Sequence, residues 1–300
     1  MAIVGPTAVG KSRLAMELAQ RLSAEIVSAD SRQVYRYMDI GTAKPSKEEQ
    51  ARVTHYLIDL VAPNETYSAV RYRSEGLRVL RHIRAKGRIA LVVGGTGFYI
   101  RALLDGLSVP DVPPNAGFRA RMRDEAQQLG PEVLHERLSR LDPASAARIH
   151  QSNLPRLIRA LEVIQYTRAP VPPSSPGQSV PTLYLGLTME RAQLRALSDR
   201  RVVNQVKCGL VEETRRLLKM GYEADLPAMQ GFAYRQMVTY LSGECDLGMA
   251  VAEYQAATHR YIRRQMTWFR ADGRIRWLNA GSDSISSARH LIDQWLSTAS

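Results

Sequence analysis

The chain has 300 residues, 45% of them hydrophobic, with a formal net charge of +12 at pH 7. That length suits one large α/β domain, or a core with an insertion. Its two cysteines, Cys208 and Cys245, form no C-x-x-C pair, which excludes a disulfide framework or zinc site and reads as buried or half-buried thiols of a reducing compartment. The cationic excess is larger than a small-molecule kinase needs and favours a polyanionic partner, with nucleic acid first. No signal peptide and no bilayer-length apolar run are found, so a cytoplasmic protein without a membrane partner is expected.

Ala2-Ile3-Val4 reads as a short strand, and Gly5, Pro6, Thr7, Ala8, Val9, Gly10, Lys11 and Ser12 follow it directly. This is the G-x-x-x-x-G-K-[ST] phosphate-loop pattern in the strand-to-helix setting that it requires. Leu14, Leu18 and Leu22 recur four apart beside Ala15 and Ala19, predicting the helix. The glycines let successive backbone N–H groups turn inward as an anion nest at a helix N-terminus. Lys11 adds a charge for terminal phosphates, and the Ser12 hydroxyl suits Mg²⁺. A phosphorylated ligand follows. Hydrolysing phosphate-loop proteins hold their metal with an Asp at the end of a second apolar strand. Here Ile89–Val93 runs into Gly94-Gly95-Thr96-Gly97 with no carboxylate, and Asp59 lies inside the run Tyr56–Leu60 as a structural or metal-linked group. No Asn-Lys-x-Asp guanine signature occurs. A transferase acting on a phosphorylated donor is expected rather than a motor or switch.

A second strand is predicted from Glu25, with Asp30 at its end. Strand carboxyl ends line the ligand crevice of an open parallel sheet, so Asp30 is a candidate for contact with substrate. It fits a helix N-cap as well. Ser31 and Gln33 offer hydrogen bonds suited to a base edge. Met38–Pro45 reads as a loop over the site, Ser46 with Glu49 as a capping box, and His55–Leu60 as a strand. A helix is predicted from Ser68 to about Lys86, with Val70, Leu77, Leu80 and Ile83 on its core face and Gly87 ending it. Ile89–Val93 gives a central strand, apolar throughout. Thr96 can donate to a phosphate or bridging oxygen, or can mark only a tight turn.

From about Val109 the character changes. Pro110, Pro113 and Pro114 punctuate a loop, and the following stretch is helical and arginine-rich, through Arg119, Arg137, Arg148, Arg156 and Arg159. A proline-rich linker spans 169–177, and strand character returns at Thr182–Leu187. The expected organisation is a core of residues 1–112 and 179–300, interrupted by a helical insertion, 113–178. Arg156 and Arg159, three apart on a helix, can straddle a phosphodiester or simply be solvated. The last third is helical, with helices at 191–209, 210–220 and 249–270, an edge strand at 274–278 and a last helix from about Ser284. The arginines around Trp268 and Phe269 complement a helix dipole and also suit RNA.

Taken together, several blocks resemble the tRNA dimethylallyltransferases, or tRNA isopentenyltransferases, in their bacterial form, without the zinc-finger extension of eukaryotic relatives. They are the phosphate loop, Asp30-Ser31 with Val34-Tyr35, Met38–Pro45, His55–Asp59, Gly94–Tyr99, Arg148-Ile149-His150, Arg156–Val163, Gly209–Glu213 and Gln265–Phe269. The resemblance covers nearly the whole chain. It implies a phosphate-loop NTPase-like α/β core, with a helix-covered parallel sheet and an all-helical insertion. It also implies transfer of a dimethylallyl group from its diphosphate to the exocyclic N6 amine of the adenosine 3′ of the anticodon in tRNA. The roles implied are Gly5–Ser12 for the donor diphosphate, Mg²⁺ near Ser12, and Asp30, Thr96 and Arg201 as catalytic residues. Contact with the anticodon stem-loop is implied for Asp30, Ser31, Arg32, Gln33, Thr96, Arg119, Pro155, Arg156, Leu157, Ile158 and Arg159, with the target base flipped out and the enzyme a monomer. Five positions depart from the usual family pattern: Ser12 for Thr, Arg32-Gln33 for an Ala-Leu type pair, Pro155 for Gln and Ala233 for Gly. The competing readings are a phosphate-loop kinase of a nucleoside or metabolite, an adenylate isopentenyltransferase, and a non-catalytic RNA-binding protein.

Overall fold

The computed structural model describes residues 1–107, 110–172, 179–281 and 283–299. Val109 and the linker from residue 173 to 177 lie outside the described residues. Six strands, β1 (Ala2–Val4), β2 (Ala24–Ser28), β3 (His55–Tyr56), β4 (Ile89–Gly94), β5 (Tyr184–Thr188) and β6 (Arg276–Asn279), form one parallel sheet in the order β3-β2-β4-β1-β5-β6. Side chains alternate across it. Ile3, Leu91, Val93, Leu185 and Leu187 enter one apolar layer, while Ala2, Val4, Val92 and Tyr184 enter the other. A sheet apolar on both faces needs helices on both. One layer is completed by α1 (Lys11–Leu22) and, at the end of the chain, the helix Ser284–Ala299; the other by α3 (Ala69–Ala85) and α4 (Gly97–Leu104). The short α2 (Lys47–Arg52) begins at the predicted capping box: Ser46 accepts from Glu49 N, and Glu49 accepts from Ser46 N.

The chain divides into two compact units, Met1–Gly106 with Gln178–Ser300, and Leu107–Gly177. The second holds four helices, α5 (Ala116–Leu129), α6 (Glu132–Leu141), α7 (Pro143–Arg148) and α8 (Leu154–Thr167), around Met122, Leu134, Leu138, Leu157, Ile158 and Leu161. The first continues after β5 with α9 (Arg191–Lys207), α10 (Leu210–Lys219), α11 (Phe232–Leu241) and the 24-residue α12 (Leu247–Arg270), and ends with α13, the Ser284–Ala299 helix. A third apolar cluster joins α9–α12 to the segment Val34–Met38.

The structure corrects two expectations and decides between the two readings of Asp59. The strand expected over His55–Leu60 is two residues long, because Leu57 and Asp59 turn into the left-handed region (φ 61° and 55°). Asp59 is structural: it and Asp39 each lie 2.6 Å from the buried Lys44 ammonium. Cys208 is exposed, at the C-cap of α9, rather than buried.

Candidate active site

Strand order reverses beside β1, whose neighbours are β4 and β5, and ligand crevices of open α/β sheets lie outside the strand carboxyl ends at such a point. The phosphate loop leaves β1 there. Gly10 is the N-cap of α1 with φ 101°, a left-handed conformation that glycine adopts without a steric cost, and it aims the first helical N–H groups at the crevice. Lys11 donates to the Pro6 carbonyl at 2.6 Å, folding its ammonium over its own loop. Burial first, then Arg201, lower its pKa to about 7, with Asp30 acting in the opposite sense. Arg201, from α9, donates to Thr7 Oγ1 at 3.3 Å. These two cations crowd a site that an anion would relieve.

A cavity of about 410 Å³ runs from this loop. Thr7, Lys11, Ser12 and Arg201 line one part, Asp30 and Gln33 another, and Ala15, Met16, Ile26 and Val93 provide apolar wall. Asp30 is not a helix cap. Its Oδ1 accepts from Arg32 N at 2.8 Å across a tight turn, and no helix follows. Thr96 stands at the N-cap of α4, yet its hydroxyl does not cap that helix. Instead its Oγ1 accepts from Ser31 N at 3.1 Å, while its own N–H donates to the Ala29 carbonyl. The turn after β4 and the turn after β2 are thereby fastened together. Gly94 permits this approach: a Cβ there would lie 2.1 Å from the Ala29 carbonyl oxygen.

Several predicted contact residues are already engaged. Gln33 Oε1 accepts from Ser28 Oγ at 2.8 Å and its Nε2 donates to the carbonyls of Thr42 and Ala43, so its amide braces the loop rather than offering itself to a base. Arg32 donates to the Pro227 carbonyl at 2.7 Å. In the helical unit, Leu157 and Ile158 are core side chains, so a contact with tRNA there would run through their backbone. Arg119 makes two bonds to the buried Glu162 at 2.7 and 2.8 Å, and Arg159 a third at 2.6 Å. Burial alone would raise the Glu162 carboxyl, but bonds from Arg119, from Asn115 N and from Arg159 prevail and hold it at about 2. Pro155 and Arg156 are exposed in the first turn of α8.

Two anchors lie in blocks that carry the resemblance but were given no role of their own from the sequence. The Glu213 carboxylate, buried in α10, accepts from the backbone N–H groups of Asp39, Ile40 and Gly41 at 2.9–3.1 Å and from Tyr234 Oη at 2.7 Å. It thus fixes the loop whose Thr42, Ala43 and Pro45 wall the cavity. Gln265, buried in α12, accepts from Thr7 N and donates to the Gly95 carbonyl, both at 2.9 Å, tying the phosphate loop to the turn after β4. The same helix holds α9 through His259 and Asp199, and reaches Ile40 through Tyr254 and Gln205. Period 3.6 placed these residues on the inward face, but their partners are too distant in sequence for local pattern to supply.

Sheet order, phosphate loop and a carboxylate across one cavity define a phosphate-loop protein of the group-transfer kind. The IPP transferase family model matches residues 33–272. The chain is 45% identical over 279 residues to the tRNA dimethylallyltransferase of Thermomicrobium roseum, covering 92% of this chain and 85% of that protein. It is 42% identical over 297 residues to that of Acetivibrio thermocellus, covering 97% and 94%. The structure of the tRNA isopentenylpyrophosphate transferase from Bacillus halodurans aligns with TM-score 0.72 and 36% identity, over 99% of this chain and 95% of that one. A eukaryotic dimethylallyltransferase acting on tRNA, 23% identical, shares the fold at TM-score 0.80, over 99% and 79%. The chain belongs to the IPP transferase family. Among the described residues no helix is long and apolar enough to cross a membrane.

Proposed function

We propose that this enzyme transfers the dimethylallyl group of dimethylallyl diphosphate to the N6 amine of the adenosine 3′ of the anticodon in tRNA. The observation that carries the reading is that the anion-binding loop and Asp30 share one cavity, in a chain similar to tRNA dimethylallyltransferases along nearly its whole length. Lys11, Arg201 and the loop N–H groups hold the diphosphate. Arg201 meets the negative charge that grows on it as the C1–O bond breaks. The amine nitrogen of adenine is a poor nucleophile because its lone pair is delocalised into the ring. Asp30 takes its proton as the N6–C1 bond forms, and diphosphate departs. Thr96, fastened to the Asp30 turn, positions the acceptor.

Ser12 is the residue that would hold Mg²⁺. It lies in the first turn of α1 on the cavity wall, and the described residues contain no cluster of three His, Cys, Asp or Glu side chains for an all-protein site. That donor set fits an ion that keeps waters and takes substrate phosphate oxygens. When bound, the ion supplies charge neutralisation on the leaving diphosphate. For the acceptor, Asp30, Ser31, Arg32, Thr96, Arg119, and Pro155, Arg156 and Arg159 in the first two turns of α8 are the proposed tRNA contacts, with the base flipped from its stack.

The test is incubation with Mg²⁺, radiolabelled dimethylallyl diphosphate and unmodified tRNA. Label enters tRNA with the wild type, and Asp30→Asn lowers kcat by roughly 10²–10⁴-fold with donor affinity retained. Phosphate transfer from ATP to a small acceptor, with no label in tRNA, would turn the reading to a kinase.

A further inference from the structure

The residues assigned above to the acceptor end of the cavity are polar, whereas a flipped purine presents its largest surface as an apolar ring face. Among the described lining residues there is one phenol ring, Tyr261. It lies on α12 one turn before Gln265, on the side from which that helix grips the phosphate loop. Phe232, at the start of α11, packs against it with centroids 5.4 Å apart at 48°. The Arg264 guanidinium approaches to 5.7 Å from its centroid. Burial, followed by the Asp30 charge, pushes the phenol up to about 12, so it is a neutral hydroxyl throughout the neutral range.

We propose that Tyr261 is a further acceptor-site residue: its ring is the wall against which the flipped adenine lies. The inference rests on the tRNA-prenylation reading above. Two neighbours hold the ring in place against this wall, Phe232 and the Arg264 guanidinium. The ring also forms cavity wall while the buried residues of the same stripe, Tyr254, Thr258 and Phe269, pack into the protein interior. The ring's role is separable from simple volume because phenylalanine keeps the ring and leucine keeps only apolar volume.

Tyr261→Phe and Tyr261→Leu are assayed for tRNA prenylation, donor binding by calorimetry and thermal melting. Loss of an aromatic contact with one base predicts a KM for tRNA raised about ten-fold or more in Tyr261→Leu, with donor affinity within about two-fold of wild type. Tyr261→Phe, which keeps the ring, keeps KM for tRNA within about two-fold of wild type. Wild-type KM for tRNA in Tyr261→Leu, or equal losses of donor and tRNA binding, overturns the inference. Should Tyr261→Leu melt early, the near-isosteric Tyr261→Phe decides: a KM for tRNA raised about ten-fold with the ring retained overturns the inference. A wild-type protein that puts no label into tRNA overturns the reading beneath it instead, and the variants then are not at issue.

Discussion

Replacing Glu213 with glutamine halves the acceptor capacity of a buried carboxylate that takes three backbone N–H groups and the Tyr234 hydroxyl. A hydrogen bond to a charged group contributes roughly 1.5–3 kcal/mol, and a buried donor left without a partner costs about 1–3 kcal/mol. The glutamine carbonyl can serve two of the four donors, and its NH₂ group faces the others as donor against donor. With two partners lost, the expected destabilisation is about 3–5 kcal/mol. Relaxation cannot easily lower it, because a side chain at Gly41 or a shift of its backbone meets the Tyr234 ring, 2.5 Å from where a Cβ would stand. Tyr234→Phe removes a single bond and should cost about 1.5–3 kcal/mol. Urea unfolding followed by tryptophan fluorescence measures both. Because the loop walls the cavity, the donor KM of folded Glu213→Gln should rise as well. A loss below about 1 kcal/mol in Glu213→Gln would refute the claim that this carboxylate organises the loop.

Two further outcomes concern pH. Lys11 has a folded-state pKa of about 7, below its ordinary 10.5. Its charge therefore costs stability in full below pH 7, and the cost disappears as pH rises toward 10.5. Lys11→Met should accordingly stabilise the donor-free protein more at pH 6 than at pH 9. Diphosphate restores the charge, so calorimetry at pH 8 in buffers of different ionisation heat should show uptake of about one proton on donor binding, absent in Lys11→Met. Glu162 is the opposite case, with a carboxyl held at about 2. Its contribution is present above the ordinary carboxylate range and lost as pH falls toward 2, up to about 3 kcal/mol. Glu162→Gln should lower the urea midpoint at pH 5 and differ little from wild type near pH 2.

What could be read from the sequence was local. The phosphate loop, the capping box at Ser46 and Glu49, the helix after Ser68 and the edge strand through Trp277 and Leu278 all follow from spacing, caps and alternation over a few residues. Where reading stopped, the deciding partner was remote. Leu57 and Asp59 leave the strand because Lys44 and the Val34–Met38 segment claim their neighbourhood. Arg119 and Arg159 look like free phosphate ligands until Glu162 appears between them. Gln33 looks like a base reader until Ser28, Thr42 and Ala43 take its amide. Glu213 and Gln265 lie within the blocks that carried the family resemblance, but their spacing says nothing of Ile40 or Thr7.

The bond from Thr7 to Gln265 spans 258 positions. On the ribosome, the phosphate loop emerges well before its brace on α12, and β5, the neighbour of its strand, follows the helical insertion. The nascent chain therefore carries an unlatched loop until α12 is made. The loop gains its brace only when that helix joins elements made long before it.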